Sequence, residues 1–307
     1  MKSEEIRLWK DKENEAFLTT YILDEFTRLN SKKRPAVIIC PGGAYLRTSD
    51  REAEPVAIKF ASLGFNTFVL RYNTFFRSKE DGFNYINKNT NKKIKVNKNT
   101  KYPQPLFDLA KAMIIIRENA EAWNIDVDNI SICGFSAGAH LAALLGTQWQ
   151  STLLKDKFNS ESEVFKPKTL ILAYPVIDYM IIKELKDKSN NKIDIDMFNV
   201  SNEAFFGEEN PSDKLRKKLS ICNNITDNMI PTFIWHTAND ELVCVQNSLN
   251  LALALSKKNI TYEMHIFENG PHGMSLCNEV TAAEVSQINK DCEKWFELAV
   301  EWLSKYR

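Results

Sequence analysis

ISICGFSAGAHLAALLG, residues 130–146, is the stretch whose reading decides the fold. A short apolar run, Ile130–Cys133, leads into Gly134-Phe135-Ser136-Ala137-Gly138, and a long apolar run follows. Only ten glycines occur in 307 residues, so two of them bracketing one serine mark a turn with no room for side chains. The run before it has the length of a buried strand. The small-residue run after it repeats apolar positions three and four apart, as a packed helix does. The stretch therefore predicts strand, sharp turn and helix, with Ser136 raised at the helix N-terminus. Free N–H groups and the helix dipole favour developing negative charge there. A serine in this place can also be a plain N-cap, and the rest of the chain has to decide between the two.

Outward from this stretch, five more runs have strand character: Ala36–Cys40, Asn66–Tyr72, Thr169–Tyr174, Thr232–His236 and Tyr262–Phe267. They are nearly continuous in apolar residues, which suits parallel strands covered on both faces. Helical spacing runs through Glu52–Gly64, Leu106–Trp123, Ser136–Gln148, Asn247–Asn259 and Val285–Tyr306. Strand and helix alternating in this way predict an α/β fold: a mostly parallel central sheet of about eight strands with helices on both faces, in one domain over residues 1–307. Two insertions break the rhythm. Residues 77–101 are rich in Asn and Lys and predict a surface loop or short hairpin whose positive charge is solvated. Residues 176–228 carry weak helical patterns and predict a small cap over the sheet.

Bulk properties exclude several classes. Lys plus Arg and Asp plus Glu number 40 each, for zero net charge, which argues against a nucleic-acid partner. There is no 18-residue apolar span and no apolar leader in MKSEEIRLWKDKENEAF, so neither a membrane span nor secretion is expected. The six cysteines show no C-x-x-C pairing. Reduced thiols, a cytoplasmic location and no metal site are expected.

A serine hydroxyl needs a base before it can attack a carbonyl. The chain has four histidines. His140 lies one turn into the helix after Ser136 and should pack between helix and sheet. His265 is mid-strand and should be packed too. His236 ends a strand and could fix a loop. His272, in Gly270-Pro271-His272-Gly273 after the last strand, is poor core material and is favoured as the base. A carboxylate must hold that imidazole in its working tautomer. Asp240, at the carboxyl end of Thr232–His236, is favoured over its neighbour Glu241 and over Asp178, which follows an earlier strand. Backbone N–H groups of Ala137 and of Gly43 and Ala44, in the Pro41–Tyr45 loop, are the expected donors to an oxyanion.

Nucleophile, acid and base in the order Ser136, Asp240, His272 is the order of α/β-hydrolases. The motifs PGGAY at Pro41–Tyr45, YPQPLFDLAKA at Tyr102–Ala112, CGFSAGAHLA at Cys133–Ala142, YPVID at Tyr174–Asp178, PTFIWHTANDELV at Pro231–Val243 and GPHGMS at Gly270–Ser275 resemble the esterase/lipase group of that fold. They are most similar to its acetyl esterase and acetyl xylan esterase branch, which includes BD-FAE-like proteins. The resemblance runs from about Val37 to Arg307. It implies cofactor-independent hydrolysis of short-chain acyl esters, acetylated sugars among them, through an acyl-enzyme on Ser136. One departure is Ala44, where such loops usually carry a third glycine. A homo-oligomer is compatible with the sequence. Two competing readings are a prolyl-oligopeptidase-like peptidase, which usually carries a large domain ahead of this one, and a ligand-binding homologue without activity.

Overall fold

The computed structural model describes residues 1–24, 32–76, 96–97 and 99–306. Eight strands form one sheet in the order β1-β2-β4-β3-β5-β6-β7-β8. They are β1 Lys2–Arg7, β2 Phe17–Ile22, β3 Arg34–Cys40, β4 Asn66–Arg71, β5 Ile125–Phe135, β6 Leu170–Ala173, β7 Thr232–Thr237 and β8 Tyr262–Phe267. β3 to β8 run parallel, and β2 is antiparallel to both β1 and β4.

The parallel strands obey period two. Ala36, Ile38 and Cys40 enter the core on one face of the sheet, under the helices Gln104–Glu118 and Ala137–Gln148. Val37 and Ile39 enter the core on the other, with the helices Glu54–Ala61 and Trp295–Ser304. Leu170 and Leu172 alternate with Ile171 and Ala173 in the same way. Full burial of each Val, Ile or Leu among them is worth about 1.5–3 kcal/mol, which is why the runs read as uninterrupted apolar stretches.

Register places the functional loops. Cys40 pairs with Gly134, Phe135 with Ala173, and Thr237 with Phe267. The segments that follow β3, β5, β6, β7 and β8 therefore leave the sheet along one edge. They carry Gly42 to Ala44, Ser136, Tyr174, Asp240 and His272.

Several expectations need correction. β1 and β2 were not among the runs placed from sequence: KSEEIR is almost wholly exposed, and FLTTYI is interrupted by two threonines. β8 is an edge strand and only half-buried, with Tyr262 and Ile266 exposed. Glu52 belongs to a short 3-10 turn, Asp50–Glu52, ahead of the helix Glu54–Ala61. The C-terminal pattern is broken into a 3-10 turn Val285–Gln287 and helices Lys290–Glu293 and Trp295–Ser304.

The 176–228 stretch holds three helices, Tyr179–Lys188, Lys192–Phe206 and Asp213–Leu219. Most of the 77–101 insertion lies outside the described residues. Its last part is not the surface loop expected: Asn97 and Thr100 are buried. Phe76 bridges to Val96, and the Thr100 hydroxyl and Tyr102 N–H donate to Ala204 and Phe205 carbonyls in the second cap helix. Among the described residues no helix is long and apolar enough to cross a membrane.

Candidate active site

The serine turn has the strain its sequence implies. Ser136 sits at φ 51, ψ −116, a region that non-glycine residues occupy only when the surroundings hold them there. The holding is visible. Ser136 N–H donates to Ala173 O at 3.0 Å. A Cβ on Gly138 would overlap the Cys40 and Pro41 carbonyls, and one on Gly134 would overlap the Gly138 carbonyl. Both glycines are thus explained by close backbone approach.

The three predicted side chains meet. Ser136 Oγ lies 2.8 Å from His272 Nε2, and His272 Nδ1 lies 2.6 Å from Asp240 Oδ2. A carboxylate oxygen can only accept here, so Nδ1 carries the proton and Nε2 is left to accept from the serine hydroxyl. Asp240 is itself over-determined. Its Oδ1 accepts the N–H groups of Leu242 at 3.0 Å and Val243 at 2.9 Å. Its Oδ2 also accepts from His236 Nε2 at 3.1 Å. Burial would raise the Asp240 carboxyl, but attraction to His272 and the hydrogen bonds from both histidines outweigh it. The carboxyl is held well below the usual carboxylate range.

His236 fixes this loop, as its position suggested. It is fully buried, with Nε2 donating also to Val243 O at 2.8 Å and Nδ1 facing Ser248 Oγ at 2.8 Å. His140 is buried too, but against the cap and not the sheet. Its rings of contact are Tyr45, Tyr179 and Phe205. Nε2 donates to Leu219 O at 3.1 Å and Nδ1 accepts from the Tyr45 hydroxyl at 2.8 Å. Burial lowers its pKa to about 4, against the opposing hydrogen bond to Leu219 O. His265 is half-buried at the sheet edge, 3.0 Å from Glu263, with its ring packed at 5.3 Å on that of the buried Phe233. Asp178 is spent as an N-cap, accepting Met180 N–H at 2.9 Å and the Ser220 hydroxyl at 3.2 Å. Glu241 is exposed.

The Pro41–Tyr45 loop passes beside the serine. Leu46 and Arg47 N–H donate to Gly43 O, and Ser49 N–H to Gly42 O. Gly42 N–H is taken by Glu52. Among the described residues this leaves the N–H groups of Gly43, Ala44 and Ala137 uncommitted. Gly43 has φ +123, which a side chain would oppose. Ala44 and Tyr45 are also left-handed, at φ 58 and 60. The Ser201 hydroxyl clamps Ala44 O at 2.9 Å from the cap. Gly43, Ala44, Ala137, Ser136 and His272 all line one cavity of about 700 Å³, whose far wall is Val176, Tyr179, Ile182, Met197 and Phe198.

Two contributors escaped the sequence reading, Glu52 and Tyr174. Glu52 is buried at 4% exposure, and its charge sat inside an apparent helix pattern with nothing local to single it out. Tyr174 opens YPVID, a motif whose only weighed residue was Asp178. The Tyr174 ring meets His272 edge-on at 5.0 Å.

The arrangement can deliver a deprotonated serine oxygen to a carbonyl in a cleft with N–H donors at hand. Residues 23–255 match the family described as BD-FAE. The chain is 31% identical over 248 residues to endo-1,4-beta-xylanase B of Butyrivibrio fibrisolvens, covering 80% of this chain and 33% of that protein. It spans a third or less of the length of the curated relatives it matches. Among solved structures it is similar to MGS-M1, an α/β-hydrolase enzyme from a Medee basin deep-sea metagenome library, with 28% identity, a TM-score of 0.70, and 100% and 98% of the two chains covered. It is also similar to an acetyl ester-xyloside bifunctional hydrolase from Caldicellulosiruptor lactoaceticus, with 32% identity, a TM-score of 0.70, and 97% and 96% covered. A match over most of the length, on a sheet whose loops converge at a serine turn, means that this chain has the α/β-hydrolase fold and belongs to the BD-FAE family.

Proposed function

We propose that the protein is a serine carboxylic-ester hydrolase. The observation that carries this reading is the unbroken hydrogen-bonded line from Ser136 Oγ through His272 to Asp240, opening on the cavity. In the proposed reaction His272 Nε2 takes the Ser136 proton as Oγ attacks the ester carbon. Asp240 stabilises the imidazolium so formed. The oxyanion is met by Ala137 N–H and by N–H groups of Gly43 and Ala44, each such donor being worth roughly 10²–10³ in rate. His272 then protonates the departing alcohol and the acyl group stays on Ser136. A water, deprotonated by the same nitrogen, releases it as the acid. These residues supply every proton transfer, so no step calls for a metal or cofactor.

Short acyl groups, acetyl on small sugars among them, are the substrates the family resemblance suggests, and the Caldicellulosiruptor relative is named for an acetyl ester activity. The cavity favours a second, wider reading. Its far wall is mostly apolar, and Ser201 and Asn202 beside that wall already bond Ala44 O and Glu209 O, while Arg47, Ser49 and Arg51 also line the cavity. An apolar acyl or alcohol group longer than acetyl fits that wall. We place the enzyme in the cytoplasm, with residues 1–307 forming one α/β-hydrolase unit and a cap at 176–228; its six cysteines are free thiols. The test is hydrolysis of p-nitrophenyl acetate by the wild type and by Ser136→Ala. Turnover that vanishes in the variant supports the reading; equal turnover, or none by the wild type on any ester, ends it.

A further inference from the structure

We propose that Glu52 is a positioning residue for the hydrolysis, an inference that rests on the function proposed above. A carboxylate at 4% exposure inside an active-site cavity needs a reason. Its two oxygens face two different loops. Oε2 accepts Gly42 N–H at 2.9 Å, next to Gly43 and Ala44. Oε1 accepts the Tyr174 hydroxyl at 2.6 Å. That hydroxyl in turn accepts Ser275 N–H at 2.9 Å, in the loop that carries His272, and Oε1 lies 4.0 Å from where a Cβ on Gly273 would stand.

The neighbouring Arg51 closes the same ring. Its guanidinium donates to the carbonyls of Gly273, at 2.8 Å, and of Thr281. Its own carbonyl accepts the Ser275 hydroxyl at 2.6 Å. Arg51 and Glu52 thus tie the loop of the proposed oxyanion donors to the loop of the base. Tyr174 and Ser275 sit at φ 36 and 54, conformations that persist only under such restraint.

The geometry also specifies a carboxylate. Tyr174 Oη already receives Ser275 N–H, so its proton goes to Glu52, and Gly42 can only donate. Both Glu52 oxygens must therefore accept. The amide of Glu52→Gln turns an NH2 toward one of these donors and loses that bond. A loop shift of about 1 Å at this distance from the reacting atoms can cost roughly 10²-fold in rate.

The experiment measures kcat and KM on p-nitrophenyl acetate for the wild type, Glu52→Gln and Tyr174→Phe, with thermal melts for each. The expected result is kcat down roughly 10²-fold in Glu52→Gln, with KM within about threefold. Tyr174→Phe, which keeps the Gly42 bond and loses only the link to the base loop, should fall between that variant and the wild type. A folded Glu52→Gln with kcat within twofold of the wild type overturns the proposal, as does a loss confined to KM. If Glu52→Gln does not fold, a Tyr174→Phe enzyme with wild-type kcat overturns it. Failure of the underlying function is seen separately, as a wild type without turnover or a Ser136→Ala variant that retains it.

Discussion

Replacing Asp240 with Asn probes the site at its most constrained atom. The carboxylate accepts four donors, two peptide N–H groups on Oδ1 and two imidazole N–H groups on Oδ2. An amide can keep only one end as acceptor. If its oxygen turned to the histidines, its NH2 would face Leu242 and Val243 N–H and both bonds would be lost; Val243 is buried, and a buried unsatisfied group costs about 1–3 kcal/mol. If its oxygen stays on the peptide groups, His272 can adapt by moving its proton, while His236 Nε2 keeps its proton on Val243 O. The second arrangement wins. His272 then accepts the amide N–H at Nδ1 and carries its own proton on Nε2, where it faces Ser136 Oγ and cannot take the serine proton. The loss expected for a wrong-tautomer base is about 10⁴ in kcat, which corresponds to about 5.4 kcal/mol of transition-state stabilisation. Burst-free initial rates on p-nitrophenyl acetate, with the melting temperature measured alongside, read this directly. A folded Asp240→Asn enzyme within tenfold of wild-type kcat would refute both the tautomer argument and the role given to Asp240.

Three further outcomes are expected. Gly138→Ala places a methyl on the Cys40 and Pro41 carbonyls, so it should destabilise by at least the 1–3 kcal/mol typical of overpacking, read as a drop in urea midpoint together with lost turnover. His140 has a folded pKa of about 4, below the ordinary 6.5; the unfolded chain binds the proton first, so stability is full above about pH 6.5 and falls toward pH 4. That contribution is about 3 kcal/mol, and a His140→Gln variant should show a flatter acid limb in urea unfolding between those pH values. In an ester series from acetate to hexanoate, kcat/KM should rise about fourfold per methylene buried on the cap wall, and Phe198→Ala should flatten the rise; a profile that falls from acetate onward contradicts the apolar wall as a binding surface.

Much of the molecule was readable along the chain. The parallel strands β3 to β7 were each marked by a local apolar run, because a strand covered on both faces has no polar side to advertise; β8, half-buried at the sheet edge, carries the weaker pattern YEMHIF. The serine turn was marked by its glycines, because contacts with the Cys40 and Gly138 carbonyls leave no volume for a side chain. His272 and Asp240 stood out as polar residues in loops after strands. What was hidden depended on partners far away in sequence. β1 is held by pairing at the sheet edge, and β2 by pairing on both sides with Leu18, Tyr21 and Ile22 in the core, an apolar set that Thr19 and Thr20 interrupt in sequence. His140 looked like helix–sheet packing, but Tyr45 and Leu219 draw it to the cap.

The sequence by itself determined which segments become strands, turns and helices, and which side chains have the chemistry, since periodicity, glycine placement and functional groups act over a few residues. Only the tertiary structure decided that Cys40 lies beside Gly134 and Phe135 beside Ala173. That register brings residues 42, 136, 174, 240 and 272 to one edge, and it makes Glu52, otherwise one acid among forty acidic residues, the bridge between two loops. Register and long-range hydrogen bonds are set by the sum of all strand pairings and packed faces, and no local stretch of the chain carries that sum.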